Sequence, residues 1–352
     1  MGGAGSECGN DRERRVALRL AINGLGRTSA QLVRVIDEGG FSDLFEIAAI
    51  HDKAGPEGIY RALKNDSVYG PFPREMTLEG ETLKIGEHEI ALSANDDGKN
   101  ATWGKTDIPL VIVDGTAASD AAALDQHLKK GAKRVFLPAA SSLANVNLGI
   151  GINESAYDVE QHAIVASAGG APAAIAILYR LFDDLAKVRC GIATVIAPAS
   201  GRRRLLDSPS APGGLGLWPA APPDASIYDQ LLGKLSNRLS VVELETPARA
   251  VGSVSLGVWL ERRVTEEGLR EMVTTAEQSD DLVGLIGTVP QVDASTDLLR
   301  DSRSVIVDWA PSTLLYETFV TVTGWYDAEW AAACRLADTL ALVCEEGVPD
   351  TA

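Results

Sequence analysis

At 352 residues, 45% of them hydrophobic, the chain is long enough for two ordinary domains with full cores and is not a disordered acidic segment. Its 49 acidic against 32 basic residues leave a net charge of −17, which argues against a nucleic-acid partner and requires a local site for any anionic ligand. No apolar run approaches a membrane span, the start of the chain has no hydrophobic signal core, and Cys8, Cys190, Cys334 and Cys344 lack disulfide or zinc spacing, so a cytoplasmic protein without membrane contact is expected.

Residues 1–15 read as a polar tail. Val16 to Ile22 then predicts a buried strand running into the glycine turn Asn23-Gly24-Leu25-Gly26-Arg27, and Thr28 to Gly39 carries apolar residues at helical spacing. A second strand, Phe45 to Ile50, ends at His51-Asp52, completing a right-handed β-α-β unit. Leu110 to Val113 is another buried strand, followed by a helix from Asp120 to Lys130 and a strand from Arg134 to Leu137. This alternation predicts an α/β fold with a Rossmann-type doubly wound parallel sheet over residues 16–165.

Past Ala166 the pattern changes. A helix from Ala173 to Leu185 precedes strands at Cys190–Ile196, Val251–Leu260, Ser304–Val307 and Tyr316–Gly324, with a proline- and glycine-rich loop from Ser208 to Pro223 between them. These strands predict a second, α+β domain over 166–326 with a mostly antiparallel sheet covered by helices on one side. A last helix, 327–345, is expected to return to the first domain.

The turn Gly24-x-Gly26-x-x-Ser29 follows a strand and opens a helix, and Asp52 ends the next strand, which is the context a dinucleotide fingerprint requires. The two glycines let the backbone approach a pyrophosphate, the helix start offers N–H groups to phosphate, and Asp52 can accept hydrogen bonds from a ribose. Asn23, Gly24, Leu25, Gly26, Arg27 and Asp52 are therefore the candidate cofactor-binding residues. Ser29 stands where a third glycine or alanine is usual.

Six ordered segments give a more specific signal. Ile22-Asn23-Gly24-Leu25-Gly26-Arg27, Asn65 to Phe72, His127 to Val135, Gly151-Ile152-Asn153, the run of Ser295, Asp297, Asp301, Arg303, Ser304 and Asp308, and Trp325-Tyr326-Asp327-Ala328-Glu329-Trp330 are arranged as in one enzyme family. Across nearly its whole length the chain resembles glyceraldehyde-3-phosphate dehydrogenase. The resemblance implies that family's two-domain fold, an NAD cofactor, and oligomers of two or four chains.

The family's chemistry needs a cysteine thiolate to attack the aldehyde and a histidine to take the proton. Where the family has its ASCTTN cysteine, this chain offers Ala168 or Gly169, and the match to the family's TTVHA places Ile196 at the histidine. Glu245 falls where the family has a phosphate-binding arginine, Ala221-Pro222-Pro223 replace its Ser-Thr-Gly, and Ala328 replaces the asparagine that holds the nicotinamide carboxamide. Asp114-Gly115-Thr116 corresponds to its Thr-Gly at the cofactor cleft with altered order.

The expectation is a catalytically inactive relative that keeps an NAD-type dinucleotide fold, with the nicotinamide site weak or lost and NADP disfavoured by Asp52. It would act by binding or assembly, as a homo-oligomer or with an active paralogue. The alternative is an NAD(P)-dependent oxidoreductase acting on another aldehyde, oxo or alcohol substrate. Arg202, Arg203 and Arg204 form the candidate anion site, Cys190 is expected to be a core cysteine, and no catalytic or metal-binding residue is assigned.

Overall fold

A computed structural model describes residues 17–94, 103–199, 216–220, 224–233 and 237–347. The Arg202–Arg204 cluster and Ala221-Pro222-Pro223 lie outside the described residues.

The first strand, β1 (Leu18–Asn23), leads through the glycine turn into helix α1 (Arg27–Glu38) and then β2 (Phe45–His51). These form the centre of a nine-stranded sheet. Its spatial order is Val146–Leu148, Ile164–Ser167, Arg134–Leu137, Leu110–Val113, β1, β2, His88–Ser93, Thr82–Ile85 and Met76–Glu79. The pairs are parallel as far as His88–Ser93, and the last two are antiparallel. The order of strands reverses between β1 and Leu110–Val113, so the carboxyl ends of these two strands open the crevice where doubly wound sheets bind ligands.

The second sheet has seven strands, in the order Trp218–Pro219, Leu239–Thr246, Val188–Pro198, Val251–Leu260, Phe319–Asp327, Val305–Leu315 and Ile286–Val289. It is mixed. The pairs Val188–Pro198 with Leu239–Thr246 and Ile286–Val289 with Val305–Leu315 are parallel, while the remaining four are antiparallel. The expected Tyr316–Gly324 strand begins three residues later, because Tyr316 and Glu317 have φ values of 52° and 58° and form the turn between two long strands.

The inner face of this sheet packs against the helix Ala171–Ala186, burying Ile175, Leu178 and Phe182 against Val195, Leu256 and Val322. Its opposite face is apolar and open: Ile192, Ile196, Val242 and Trp259 are 42–51% exposed. The last helix, Trp330–Glu346, lies against α1 and buries Ala333, Leu336, Leu340 and Val343 in the core of the first sheet.

Candidate functional site

Three chain segments meet at the carboxyl edge of the nine-stranded sheet. The glycine turn is fixed between its neighbours by backbone hydrogen bonds: the Gly24 N–H donates to the His51 carbonyl at 2.7 Å, and the Asp114 N–H donates to the Asn23 carbonyl at 2.9 Å. Gly24 has φ +88°, and a Cβ there would sit 2.2 Å from the Asp114 carbonyl oxygen, so only glycine fits. Asn23 is 1% exposed, at the end of β1 where the turn begins.

Asp52 stands where the sequence places it. Its Oδ2 accepts the Leu25 N–H at 2.8 Å and its Oδ1 accepts the Ala54 N–H at 2.8 Å, and each carboxylate oxygen retains capacity to accept a further bond, as from a ribose hydroxyl. The adenosine side therefore fits a dinucleotide.

Arg27 does not reach toward a phosphate. Its guanidinium forks onto Asp66, with Nη1 to Oδ2 at 2.6 Å, and onto Glu329, with Nη2 to Oε2 at 2.6 Å and Nε to Oε1 at 3.0 Å. Burial opposes its charge, but the bonds to Glu329 and Asp66 outweigh that and hold it above its ordinary value. The Arg27 side chain instead joins the start of α1 to the Asn65–Phe72 segment and the last helix, while its backbone N–H stays at the helix start.

The pyrophosphate position carries a feature that motif matching alone does not reveal. The Asp114 carboxylate lies over Gly26, where a Cβ would come within 2.3 Å of Oδ2. It accepts the Ser29 hydroxyl at 2.6 Å and the Gly115 N–H at 2.5 Å. A negative charge is thereby held at the start of α1, where the free N–H groups and the helix dipole would otherwise favour phosphate.

On the other side of the crevice, the strand Ile164–Ser167 runs into Ala168-Gly169-Gly170 and the helix Ala171–Ala186. Ala168 is 1% exposed, and a Cβ on Gly169 would lie 2.8 Å from the Ala332 Cα in the last helix, so neither position faces the crevice. The helix N-cap, where a thiolate would be stabilised, is Gly170 with φ 64°. The position expected at Ala168 or Gly169 is corrected to Gly170, again without a thiol.

Strand parity corrects the second position. Ala193 and Val195 point into the core beside the Ala171–Ala186 helix, and Ala197 follows them on that face. Ile196 is 42% exposed on the opposite, outer face and cannot mark a reaction centre beside Gly170. The inward residue is Ala197, which carries no base. Ala328 donates its N–H to the Ala250 carbonyl at 2.7 Å and offers only a methyl group to a carboxamide.

Of what lines this reaction centre instead, the sequence pointed to Glu245 but not to Glu243 or to the inward position of Tyr326. Tyr326 is 2% exposed; its ring carbon Cε2 lies 3.8 Å from where a Gly170 Cβ would stand, and its hydroxyl 2.6 Å from that of Gly252. Glu245 pairs in register with Ala197, and Glu243 with Val195, on the strand Leu239–Thr246 that the sequence pattern did not reveal. The signal available was acids alternating with apolar residues after Leu239 and Val241.

The remaining candidates are quiet. Cys190 is exposed, not in the core, because an irregular step in pairing between Val188 and Cys190 turns it outward. Burial pushes the thiols of Cys334 and Cys344 up to about 11 and about 12, which leaves them unreactive. Among the described residues there is no group of three or more metal-ligating side chains, and no helix is long and apolar enough to cross a membrane.

Comparison with known proteins bears on both halves. Residues 18–121 match the model for the glyceraldehyde 3-phosphate dehydrogenase NAD binding domain, and residues 172–328 match the model for the C-terminal domain of the same family. The chain belongs to the glyceraldehyde-3-phosphate dehydrogenase family. It is 29% identical to glyceraldehyde-3-phosphate dehydrogenase 1 of Streptomyces avermitilis over 93% of this chain and 99% of that protein. It is 28% identical to the enzyme of Kitasatospora aureofaciens, over 92% and 98% of the two chains. Glyceraldehyde-3-phosphate dehydrogenase 2 of Bacillus subtilis is 25% identical, over 92% of this chain and 96% of its own.

Proposed function

We propose that this chain is a catalytically inactive member of the family, with NAD rather than NADP as its dinucleotide, acting by binding or assembly. One observation carries the reading: neither Ala168, Gly169 nor Gly170 bears a thiol, and neither Ile196 nor Ala197 bears an imidazole. Loss of nucleophile and base together typically removes many orders of magnitude of rate. The Ala328 methyl and the Asp114 carboxylate support weak engagement of the nicotinamide and pyrophosphate, while Asp52 supports retention of the adenosine ribose. Purified protein assayed with the phosphorylated aldehyde, NAD and phosphate is expected to produce no NADH above the uncatalysed rate. Turnover near 1 s⁻¹ or faster, roughly an ordinary enzyme rate, overturns the reading.

The assembly part rests on the outer face of the second sheet. Ile192, Ile196, Val242 and Trp259 form an exposed apolar surface that self-association would bury, in a dimer, a tetramer, or a complex with an active paralogue. A cytoplasmic setting belongs to the same proposal, supported by cysteines without disulfide partners among the described residues.

A further inference from the structure

We infer that the crevice of the first domain selects a nucleoside without a 5′ phosphate, and most strongly one with a cationic 5′ substituent, because the Asp114 carboxylate takes the place of a pyrophosphate. NAD is then a weaker occupant of the same crevice. This assignment rests on the proposed reading, in which the ribose site is kept and the pyrophosphate site is weakened.

In a dinucleotide fingerprint the second glycine is bare so that a pyrophosphate can approach the backbone at the helix start. Here that residue is Gly26, the N-cap of α1, and the space beside it is filled. A Cβ on Gly26 would stand 2.3 Å from Asp114 Oδ2, 2.6 Å from its Cγ and 2.7 Å from its Oδ1. A whole carboxylate group thus lies against the bare Cα. Gly26 makes room for Asp114, and a phosphate drawn to the same backbone meets a fixed negative charge at close range.

The carboxylate is held in that position. The Ser29 hydroxyl donates to its Oδ2 at 2.6 Å, the Gly115 N–H donates to its Oδ1 at 2.5 Å, and its own N–H donates to the Asn23 carbonyl at 2.9 Å. Ser29 is 0% exposed and stands where the fingerprint usually has glycine or alanine, so the departure from the motif supplies the clamp.

The turn's donors are spent on the protein itself. The Gly24 N–H donates to the His51 carbonyl at 2.7 Å and the Leu25 N–H to Asp52 Oδ2 at 2.8 Å. Arg27, the one basic residue between Asn23 and Arg27, forks onto Asp66 and Glu329 at 2.6 Å each. Asp52 keeps acceptor capacity on both oxygens for ribose hydroxyls. The ligand that suits both carboxylates therefore offers a diol to Asp52 and a neutral or positive group to Asp114. An ammonium can donate to the remaining acceptor capacity of Asp114, which strengthens the bond by charge.

The test is calorimetric titration of the full-length protein with 5′-amino-5′-deoxyadenosine, adenosine, adenosine 5′-monophosphate and NAD, with and without magnesium chloride. Affinity should fall in the order amino compound, adenosine, then the two phosphates. The monophosphate should bind about fivefold to thirtyfold more weakly than adenosine, and the amino compound more tightly by a similar factor. Added salt should narrow both gaps in the wild-type protein, a measurement that needs no variant. Because the whole chain carries a charge of −17, Asp114→Asn separates the local charge from the global field. It should bring adenosine and its monophosphate to within about threefold of each other, while Asp52→Asn should weaken all four ligands about tenfold.

The inference is overturned if adenosine does not bind, or if either phosphate binds as tightly as adenosine, with or without magnesium. An unchanged ranking in Asp114→Asn, or unchanged affinities in Asp52→Asn, overturns it as well. Production of NADH from the phosphorylated aldehyde is a separate outcome that overturns the inactive-member reading, while the ranking of the four ligands judges the nucleoside site by itself.

Discussion

His127 is 1% exposed, and its Nδ1 accepts the Trp103 indole N–H at 3.1 Å, so it must remain neutral on that nitrogen. Burial, and then the neighbouring His51, lower it to about 4. The folded value lies below the unfolded value of about 6.5, so the unfolded chain takes up the proton first. Stability is therefore complete above about pH 6.5 and declines as pH falls toward 4, by roughly 3 kcal/mol from this residue. Denaturant titrations of wild type and His127→Gln between pH 7 and pH 4 should show the steeper acid loss in wild type. Glu243 has the opposite sign. Burial, and then the charge of Glu245, raise its folded value, so ionisation opposes folding as pH rises above the unfolded value, and Glu243→Gln should raise the Tm at pH 7 relative to wild type. Neutralising Asp114 in Asp114→Asn should tighten NAD about fivefold to thirtyfold, since two like charges near a helix start repel by roughly 1–2 kcal/mol. Unchanged NAD affinity would mean that the carboxylate does not oppose the pyrophosphate.

The last helix governs the reaction-centre loop at the level of elements. Asp327 is 0% exposed and accepts the Trp330 N–H at 2.8 Å, the Glu329 N–H at 3.0 Å and the Tyr69 hydroxyl at 2.6 Å, which fixes the start of Trp330–Glu346 against the first domain. That placement brings Ala332 against Gly169. Gly169→Ala should therefore force the loop and helix apart and destabilise by about 1–3 kcal/mol, measurable as a lower denaturation midpoint with an unchanged m-value. A neutral substitution would refute the close approach. Strand parity acts at the same scale. It assigns Ile196 to the outer face and Ala197 to the inner one, a one-residue distinction that flips a side chain across the sheet.

For the whole molecule, the two sheets present opposite problems. The first is covered on both faces and closes around its crevice, whereas the outer face of the second leaves Trp259 half exposed, in edge-on contact with Phe319 at 6.0 Å, amid exposed aliphatic residues. Trp259→Glu combined with Ile196→Glu should yield a monomer by light scattering, while wild type elutes as a larger assembly; a monomeric wild type would remove the assembly proposal. With a net charge of −17, any assembly on this face is also expected to strengthen as salt screens repulsion between subunits.

Much of the fold was legible because β1, Leu110–Val113, Arg134–Leu137 and Val251–Leu260 are apolar runs bounded by turn residues. The helix Gly55–Lys64, the Met76–Ser93 strands and the strand Leu239–Thr246 were missed. Each spans only 4–10 residues, so its apolar positions repeat too few times to fix a period before neighbours pack on it. By itself the sequence determined the glycine turn, Asp52 at a strand end, the family, and the absence of a thiol and an imidazole, because these depend on residue type and local order. Tertiary structure alone decided that Arg27 is bound by Asp66 and Glu329 and that Asp114 lies over Gly26. Those facts join residues up to 302 positions apart in the chain, and only the packing of one element on another fixes such distances.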